Sequence, residues 1–419
     1  MKKAIVILFI LLGLIWNYNS IVYAQNNQIS NEIFEKLCIE AEKGNSAAQF
    51  TLGLVYANGN GVTHNDEEAI KWWKLSAAQE NPGAELYLGI AYASGIGVIK
   101  DEVEAAKWYT KAAEKNSKIG QLMIATVYSE GIGIVKNHEK AAFWYRKAAA
   151  QGVGEAQARL GELYATGEGV KEDLQEAIRW WKLAANNGIV RAQVYLANSY
   201  ALGKGVEIDS IESVKWQQLA ADNGDSRMQT QLGFSYYEGS GVPKNHELAV
   251  KCWNKAAEQG EPLGQYMLGK AYSSGFGIEK NSTEAIEWMK KAAEQGEVHA
   301  ISWLGFSYYF GRGIEQNIEE GLKWIRKGVE KGDSTSQALL GNAYYTGQGV
   351  IQDYSAANKL YNLSVKQGDG FGELFLGFAY YEGNGVVKDY VEASKWLEKA
   401  ADKGLEDAKM LLQEIKKNR

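Results

Sequence analysis

Residues that carry chemistry are scarce in this 419-residue chain, which holds two cysteines and four histidines. Each shortage excludes something. No His-Glu-x-x-His pair, Walker-type phosphate loop, Gly-x-Ser-x-Gly or Ser-x-x-Lys occurs, so no catalytic residue, metal or cofactor is expected. Lysine and arginine form no cluster, and the formal net charge is −6. That balance argues against nucleic acid or an anionic membrane as partner. No segment after the first two dozen residues is apolar enough to span a bilayer.

The N-terminus begins Met1-Lys2-Lys3, continues in a mostly apolar run from Ala4 to Trp16, and reaches Val22-Tyr23-Ala24 before Gln25. A basic start, a short apolar core and a small-x-small end are the parts of a secretory signal peptide. The run is shorter than the ~20 residues that a spanning helix needs. Residues 1–24 are therefore expected to be a leader cleaved after Ala24, with an uncleaved anchor as the alternative. No cysteine sits just after the run, which argues against a bacterial lipoprotein. The mature chain is expected to be exported, periplasmic or secreted, and losing Lys2 and Lys3 would shift its charge from −6 to −8.

What the sequence has in abundance is order. Tyr56, Tyr92, Tyr128, Tyr164, Tyr200, Tyr236, Tyr272, Tyr308, Tyr344 and Tyr380 stand at strict 36-residue intervals without one insertion. A fixed period of this size marks a stack of one supersecondary unit that buries its apolar face only against its neighbours. In the unit 45–80, Ala48, Leu52, Gly53 and Tyr56 follow helical spacing over roughly residues 45–57. Glycine costs about 1 kcal/mol in a helix interior. Its return after leucine, as in Leu88-Gly89 and Leu232-Gly233, predicts a close helix–helix approach.

A Gly-x-Gly-Val/Ile turn and then an Asp or Asn follow in all ten units, from Asn65 to Asp389. The glycines tolerate positive φ and end the first helix, and the Asp or Asn caps the second. Glutamate three residues on (Glu68, Glu104, Glu176, Glu212, Glu284, Glu320, Glu392) predicts a capping box in seven units. The second helix carries Ala69, Trp72, Trp73, Ala77 and Ala78. A glycine usually closes it, although Glu80 and Asn116 break that rule. Residues 25–44 read as an N-terminal capping helix, 45–404 as ten repeats, and 405–419 as a C-terminal capping helix. Gln413 and Lys416 stand there in place of the core glycine and tyrosine. The expected fold is all-α: an α/α solenoid superhelix of ten 36-residue helix-loop-helix repeats with terminal capping helices, one elongated domain and a monomer. Cys38 and Cys252 lie six periods apart, too far to meet in a rigid solenoid.

Leu-Gly, Tyr, Gly-x-Gly-Val, Asp, Ala, Trp, Ala-Ala and Gly in this order resemble the Sel1-like repeat, a subclass of the tetratricopeptide-like solenoids, over about residues 30–416. The resemblance implies a right-handed superhelix acting as a non-enzymatic adaptor for protein partners, often exported, at the host interface or in the envelope. One cysteine-rich branch pairs a disulfide in each repeat and has members assigned as β-lactamases. This chain lacks that cysteine pattern. A periplasmic organiser of cell-wall enzymes or glycans is the alternative reading, and a hydrolase of the β-lactamase-assigned branch a third.

The resemblance also places first helices on the concave face, where Ala47, Phe50, Thr51, Leu54, Ala57 and Asn58 of the reference unit face inward. Units two to five put mostly small or polar residues at equivalent positions, such as Thr126, Ser129, Glu162, Ala165, Asn198 and Ala201. From the sixth unit aromatics accumulate: Phe234, Tyr237, Trp303, Phe306, Tyr309, Phe310, Tyr345, Phe375, Phe378 and Tyr381. These rings are either inter-repeat packing or a groove for an apolar or aromatic-rich peptide, with a hot spot around Trp303, Phe306, Tyr309 and Tyr345. His64 in a loop, and His138 and His246 at one early second-helix position, read as solvated surface. His299 lies on a first-helix face turned from the core and is free to touch a ligand.

Overall fold

The computed structural model describes residues 29–417, and among them 22 α-helices and no strand. The expected leader at residues 1–24 lies outside the described residues. Helix α1 (Asn31–Glu42) precedes the repeats. Even-numbered helices from α2 (Ser46–Asn58) to α20 (Gly370–Glu382) are the first helices of the ten repeats. Odd-numbered helices from α3 (Asp66–Ala77) to α21 (Tyr390–Asp402) are the second, and α22 (Glu406–Lys417) follows. The chain divides into two compact units at Asp209 and Ser210, and each is an α/α solenoid stack.

The tyrosine that sets the period acts through its backbone as well as its ring. In each of the ten repeats its carbonyl accepts a hydrogen bond from the N–H of the helix-capping residue nine positions on. The series runs from Tyr56 and Asn65 (3.0 Å) to Tyr380 and Asp389 (3.0 Å). One extra residue in that loop would break the bond, which gives the strict spacing a physical cause. The side chain of Asn65 caps α3 as expected, accepting from the Glu68 N–H at 3.0 Å. The reciprocal half of the capping box does not form there, because the cap N–H is already taken by the tyrosine carbonyl. Glu68, Glu104 and Glu176 pair instead with Lys71, Lys107 and Arg179 one turn on.

The first helices end at a glycine in the left-handed region, as at Gly59 (φ 66°). The second-helix turns do the same at Gly152 and its equivalents. In the two units without that glycine, Glu80 (φ 61°) and Asn116 (φ 62°) are forced into the same conformation.

The helix-interior glycines mark the predicted close approach. A Cβ on Gly53 would stand 2.3 Å from Nε1 of Trp73, and one on Gly233 would stand 2.3 Å from Nε1 of Trp253. The side chain that fills this notch is therefore the residue after the recurrent tryptophan position, aromatic in Trp73, Tyr109 and Trp253 and aliphatic in Met289, Ile325 and Leu397. Trp73, Tyr109 and Trp253 are buried, whereas Trp72 and Trp108 are half-buried. Lys111 covers the Trp108 ring at 4.1 Å, a cation–π contact on the helix surface.

Consecutive repeats interlock through two further devices. Small residues face each other across the joint, and their sizes are exchanged between neighbours. Gly328 opposes Ser336 at one joint, and Ser364 opposes Gly372 at the next. Buried glutamines bridge three helices. Gln229 of α12 (Ser226–Glu238) donates to the Ala221 carbonyl of α11 (Ser210–Asp222) at 3.1 Å. It also accepts from Gln259, which caps the C-terminus of α13 (His246–Glu258), at 2.7 Å. Gln49, Gln157 and Gln265 make the same pair of bonds. In the tenth repeat Glu373 and Lys403 replace the amides as an ion pair of 2.6 Å. In the eighth, Ile301 replaces the glutamine, and the Lys327 amine takes over the Ala293 carbonyl at 2.9 Å. At the C-terminal end, Gln413 and Lys416 are both solvent-exposed.

Candidate functional site

The rings singled out in the sequence lie on α12, α16 (Val298–Phe310), α18 (Ser334–Thr346) and α20. Those from Phe306 onward form a connected chain. Phe306 meets Phe310 at a centroid distance of 5.0 Å and Phe371 at 5.7 Å. Phe371 meets Phe375 at 6.2 Å, Phe375 meets Tyr361 at 5.7 Å, and Tyr361 meets Tyr345 at 6.4 Å. Tyr345 then reaches Phe378 at 6.3 Å, and Phe378 reaches Tyr381 at 6.3 Å. The step from Phe306 to Phe371 passes over the ninth repeat. Thr335 and Asn342 of α18 are smaller than their equivalents His299 and Phe306 on α16 and Phe371 and Phe378 on α20, and this lets the flanking rings touch.

A second group surrounds Phe276, which meets Tyr237 at 4.8 Å and His246 at 4.2 Å. Phe234 packs edge-on against Trp253 at 5.7 Å. His246 is thus half-buried among rings, and His138 is half-buried beside Glu168 at 3.4 Å. Neither is the solvated surface residue expected. His299 is exposed, its ring 5.6 Å from Tyr266.

Exposure divides the ten expected residues. Tyr237 (37%) and Phe378 (40%) present their rings to solvent. Phe234, Trp303, Phe306, Phe310, Tyr345, Phe375 and Tyr381 are half-buried, each packed on one side against a neighbouring repeat. Tyr309 is fully buried, at 0% exposure, and offers nothing to a ligand. The cause is Gly321 on α17 (Ile318–Glu330), where nine repeats carry alanine or serine. A Cβ there would come within 2.7 Å of the Tyr309 backbone nitrogen, so α16 and α17 close over the ring. Burial raises the Tyr309 phenol above its ordinary pKa.

Polar groups fix the edges of the ring chain. Asn384 Nδ2 donates to the Tyr345 hydroxyl at 2.9 Å, and the Tyr381 hydroxyl donates to Glu414 of α22 at 2.8 Å. That bond to Glu414 is the main reason the Tyr381 phenol is raised. Five contributors escaped the sequence reading, among them Phe276 in a Gly-x-Gly turn and Tyr361 on a second helix. Phe371 occupies the position of Ala47, one of the inward positions, and was there to be found. Tyr354 (5.1 Å from Tyr345) and Tyr390 (5.5 Å from Tyr381) begin second helices, where the first-helix pattern gives no signal.

In the fourth and fifth repeats the corresponding helix face carries charge instead. Arg191 of α10 (Val190–Leu202) bridges Glu155 (3.0 Å) and Glu162 (2.5 Å) of α8 (Gly154–Thr166). Arg159 bonds the same two glutamates at 3.2 Å each. Burial opposes the Arg159 charge, but Glu162, Tyr145 and Glu155 outweigh it and hold the guanidinium above its ordinary pKa. Glu162, expected as one of the small or polar residues of this face, is a node of this network.

Among the described residues no group of three or more His, Cys, Asp or Glu is placed to hold a metal ion. No helix there is long and apolar enough to cross a membrane. Both cysteines are free.

A family model described as Sel1 repeat matches ten stretches: residues 46–81, 82–117, 119–153, 154–189, 190–225, 226–261, 262–297, 298–333, 334–369 and 371–405. Among solved structures, a protective antigen of uropathogenic Escherichia coli strains displaying an SLR fold is 34% identical, with a TM-score of 0.85. The match covers 91% of this chain and 82% of that one. A Sel1 repeat protein from Oxalobacter formigenes is 30% identical at a TM-score of 0.56, covering 79% of this chain and 93% of that one. No curated protein matches the chain.

Proposed function

The chain belongs to the Sel1 repeat family, and on that basis we propose that it is an exported, non-enzymatic scaffold. It grips a protein partner with the aromatic first-helix face of residues 210–417. The observation that carries this reading is the ring chain from Phe310 to Tyr381, which includes the exposed Phe378. Rings held on one side by packing and open on the other lose little side-chain freedom on binding, which makes aromatics effective anchors. The recurrent polar residues that might suggest chemistry have structural work already. The Asp and Asn residues cap helices, and the glutamines join repeats. With both cysteines free, nothing supports the disulfide-bearing, β-lactamase-assigned branch.

Export rests on the leader read in residues 1–24. It is supported by the Escherichia coli relative, since a protective antigen is one that an immune system meets. N-terminal sequencing of the extracellular or periplasmic protein should give Gln25 as first residue, and an intact Met1 would overturn this part of the reading. The binding part is tested by affinity capture with the mature chain, from host fluids and from envelope extract separately. Partners should be captured by the wild type and lost by the double variant Phe378→Ala/Tyr381→Ala. The extract that yields them separates a host partner from a cell-wall enzyme or glycan. An unchanged set of captured proteins would contradict the assignment of the aromatic face.

A further inference from the structure

In the column of bridging glutamines the second repeat carries Glu85, on α4 (Pro82–Ser94), where seven repeats carry glutamine. Glu85 is only 2% exposed, and its Oε2 has no hydrogen-bond partner. The tenth repeat makes the same exchange and compensates it. Glu373 pairs there with Lys403, and Lys403 also donates to the Gly368 carbonyl at 2.7 Å. The second repeat has the matching lysine, Lys115, at the end of α5 (Glu102–Glu114). Lys115 nevertheless pairs with Glu80.

The cause lies in the turn between the repeats. Glu80 occupies the position of Gly368 and is held in the left-handed region at φ 61°. Where the ninth repeat offers a backbone carbonyl alone, the first adds a carboxylate. Two carboxylates, one exposed and one buried, thus compete for one ammonium group. The charges that act on Glu85 are Lys115, Lys111, Glu80 and Glu114. Burial raises its carboxyl above the ordinary glutamate value, and the two lysines offset that rise only in part.

The acid form of Glu85 has a partner ready. Gln49 and Gln157 each donate to the carbonyl eight residues before them, Ala41 at 3.0 Å and Ala149 at 3.2 Å. The equivalent carbonyl for Glu85 is that of Ala77, on α3 of the first repeat. A protonated carboxyl can donate to it, whereas a carboxylate only accepts. We propose that Lys115 is the moving part of a proton-operated latch between the first and second repeats. With Glu85 protonated, its O–H takes the Ala77 carbonyl and Lys115 holds Glu80, so both contacts cross the joint. With Glu85 ionised, Lys115 turns to it as Lys403 does to Glu373, and both of those contacts are given up. A carboxyl whose folded pKa lies above its unfolded one contributes stability that is fully present below the unfolded value. That contribution is lost as pH rises through the folded value, so the joint loosens.

The test is carboxyl carbon-13 NMR of the full mature chain labelled at glutamate, with Glu85 assigned as the signal missing from Glu85→Gln. Glu85 should titrate above an ordinary glutamate. Glu80→Gly recreates the turn of the ninth repeat and leaves Lys115 no competing carboxylate, so the Glu85 midpoint should fall by about one pH unit or more. Hydrogen exchange over residues 77–90, corrected for its intrinsic pH dependence, should quicken as pH rises through the wild-type midpoint. Glu85→Gln, which carries the residue of seven other repeats and so keeps the fold, should remove that step. Three results would overturn the proposal: Glu85 titrating at or below the ordinary glutamate value, one midpoint shared by the wild type and Glu80→Gly, or exchange that quickens equally in Glu85→Gln.

Discussion

Phe306 and Phe371 touch at a centroid distance of 5.7 Å although a whole repeat separates them in sequence. The contact exists because α18 presents small residues between them, so rings two repeats apart join into one surface. Aromatic pairs contribute about 0.5–1.5 kcal/mol beyond the area they bury. A double-mutant cycle on thermal stability with Phe306→Ala and Phe371→Ala should therefore show coupling of about that size. Additive losses would mean that the two rings act separately.

The exchanged sizes at successive joints lead to a rescue experiment. A Cβ on Gly328 would lie 2.0 Å from Ser336 Oγ, while the next joint holds the reversed pair Ser364 and Gly372. Gly328→Ser alone should destabilise by about 1–3 kcal/mol through overpacking. Gly328→Ser combined with Ser336→Gly recreates the arrangement of the following joint and should recover most of that loss. A double variant no more stable than Gly328→Ser in chemical denaturation would remove the complementarity argument.

Gln229 bridges three helices from a buried position, whereas Gln231 on the same helix is exposed. Gln229→Leu removes the two hydrogen bonds to the Ala221 carbonyl and the Gln259 amide, and should cost about 1–3 kcal/mol. Gln231→Leu should stay within about 0.5 kcal/mol of the wild type. Equal effects of the two changes in urea denaturation would show that the bridges contribute little.

Glu80 and Asn116 hold a backbone conformation that glycine adopts freely. Glu80→Gly should raise the melting temperature, since the exposed Glu80–Lys115 pair that it removes is screened by solvent. Asn116→Gly should gain less. Its side chain accepts from Gln121 at 3.1 Å and Gln151 at 3.2 Å, and both bonds disappear with it. Differential scanning calorimetry of the two variants checks the order, and a drop for Glu80→Gly would contradict it.

Much of the fold was legible because the period repeats each local cause ten times. Tyr56 and its equivalents, the glycine turns and the Asn65-type caps are set by backbone geometry within one unit. What crosses between units was harder to read. The bridging glutamines recur at a fixed column, yet a buried amide looks like any polar residue until its two partners are placed. The capping box failed for a similar reason, since the cap N–H had a stronger local claimant in the tyrosine carbonyl. At the candidate site, helical phase found the right face but not the depth. Tyr309 and Tyr345 occupy one column, and only the glycine at Gly321 buries the first. Phe371 shared a column already identified, while Tyr354 and Tyr390 reach the face from other helices.

The central claim is that the aromatic face of residues 210–417 holds a protein partner, and it can be tested before any partner is known. Random-peptide phage are selected on the full mature chain, and the enriched peptides are titrated against wild type and against Phe378→Ala/Tyr381→Ala by fluorescence anisotropy. Truncating a binding hot spot costs at least ~2 kcal/mol, roughly thirtyfold in affinity. The account predicts aromatic-rich peptides whose affinity falls by about that factor in a variant with unchanged circular dichroism. Peptides that bind the folded variant as tightly as the wild type would contradict it.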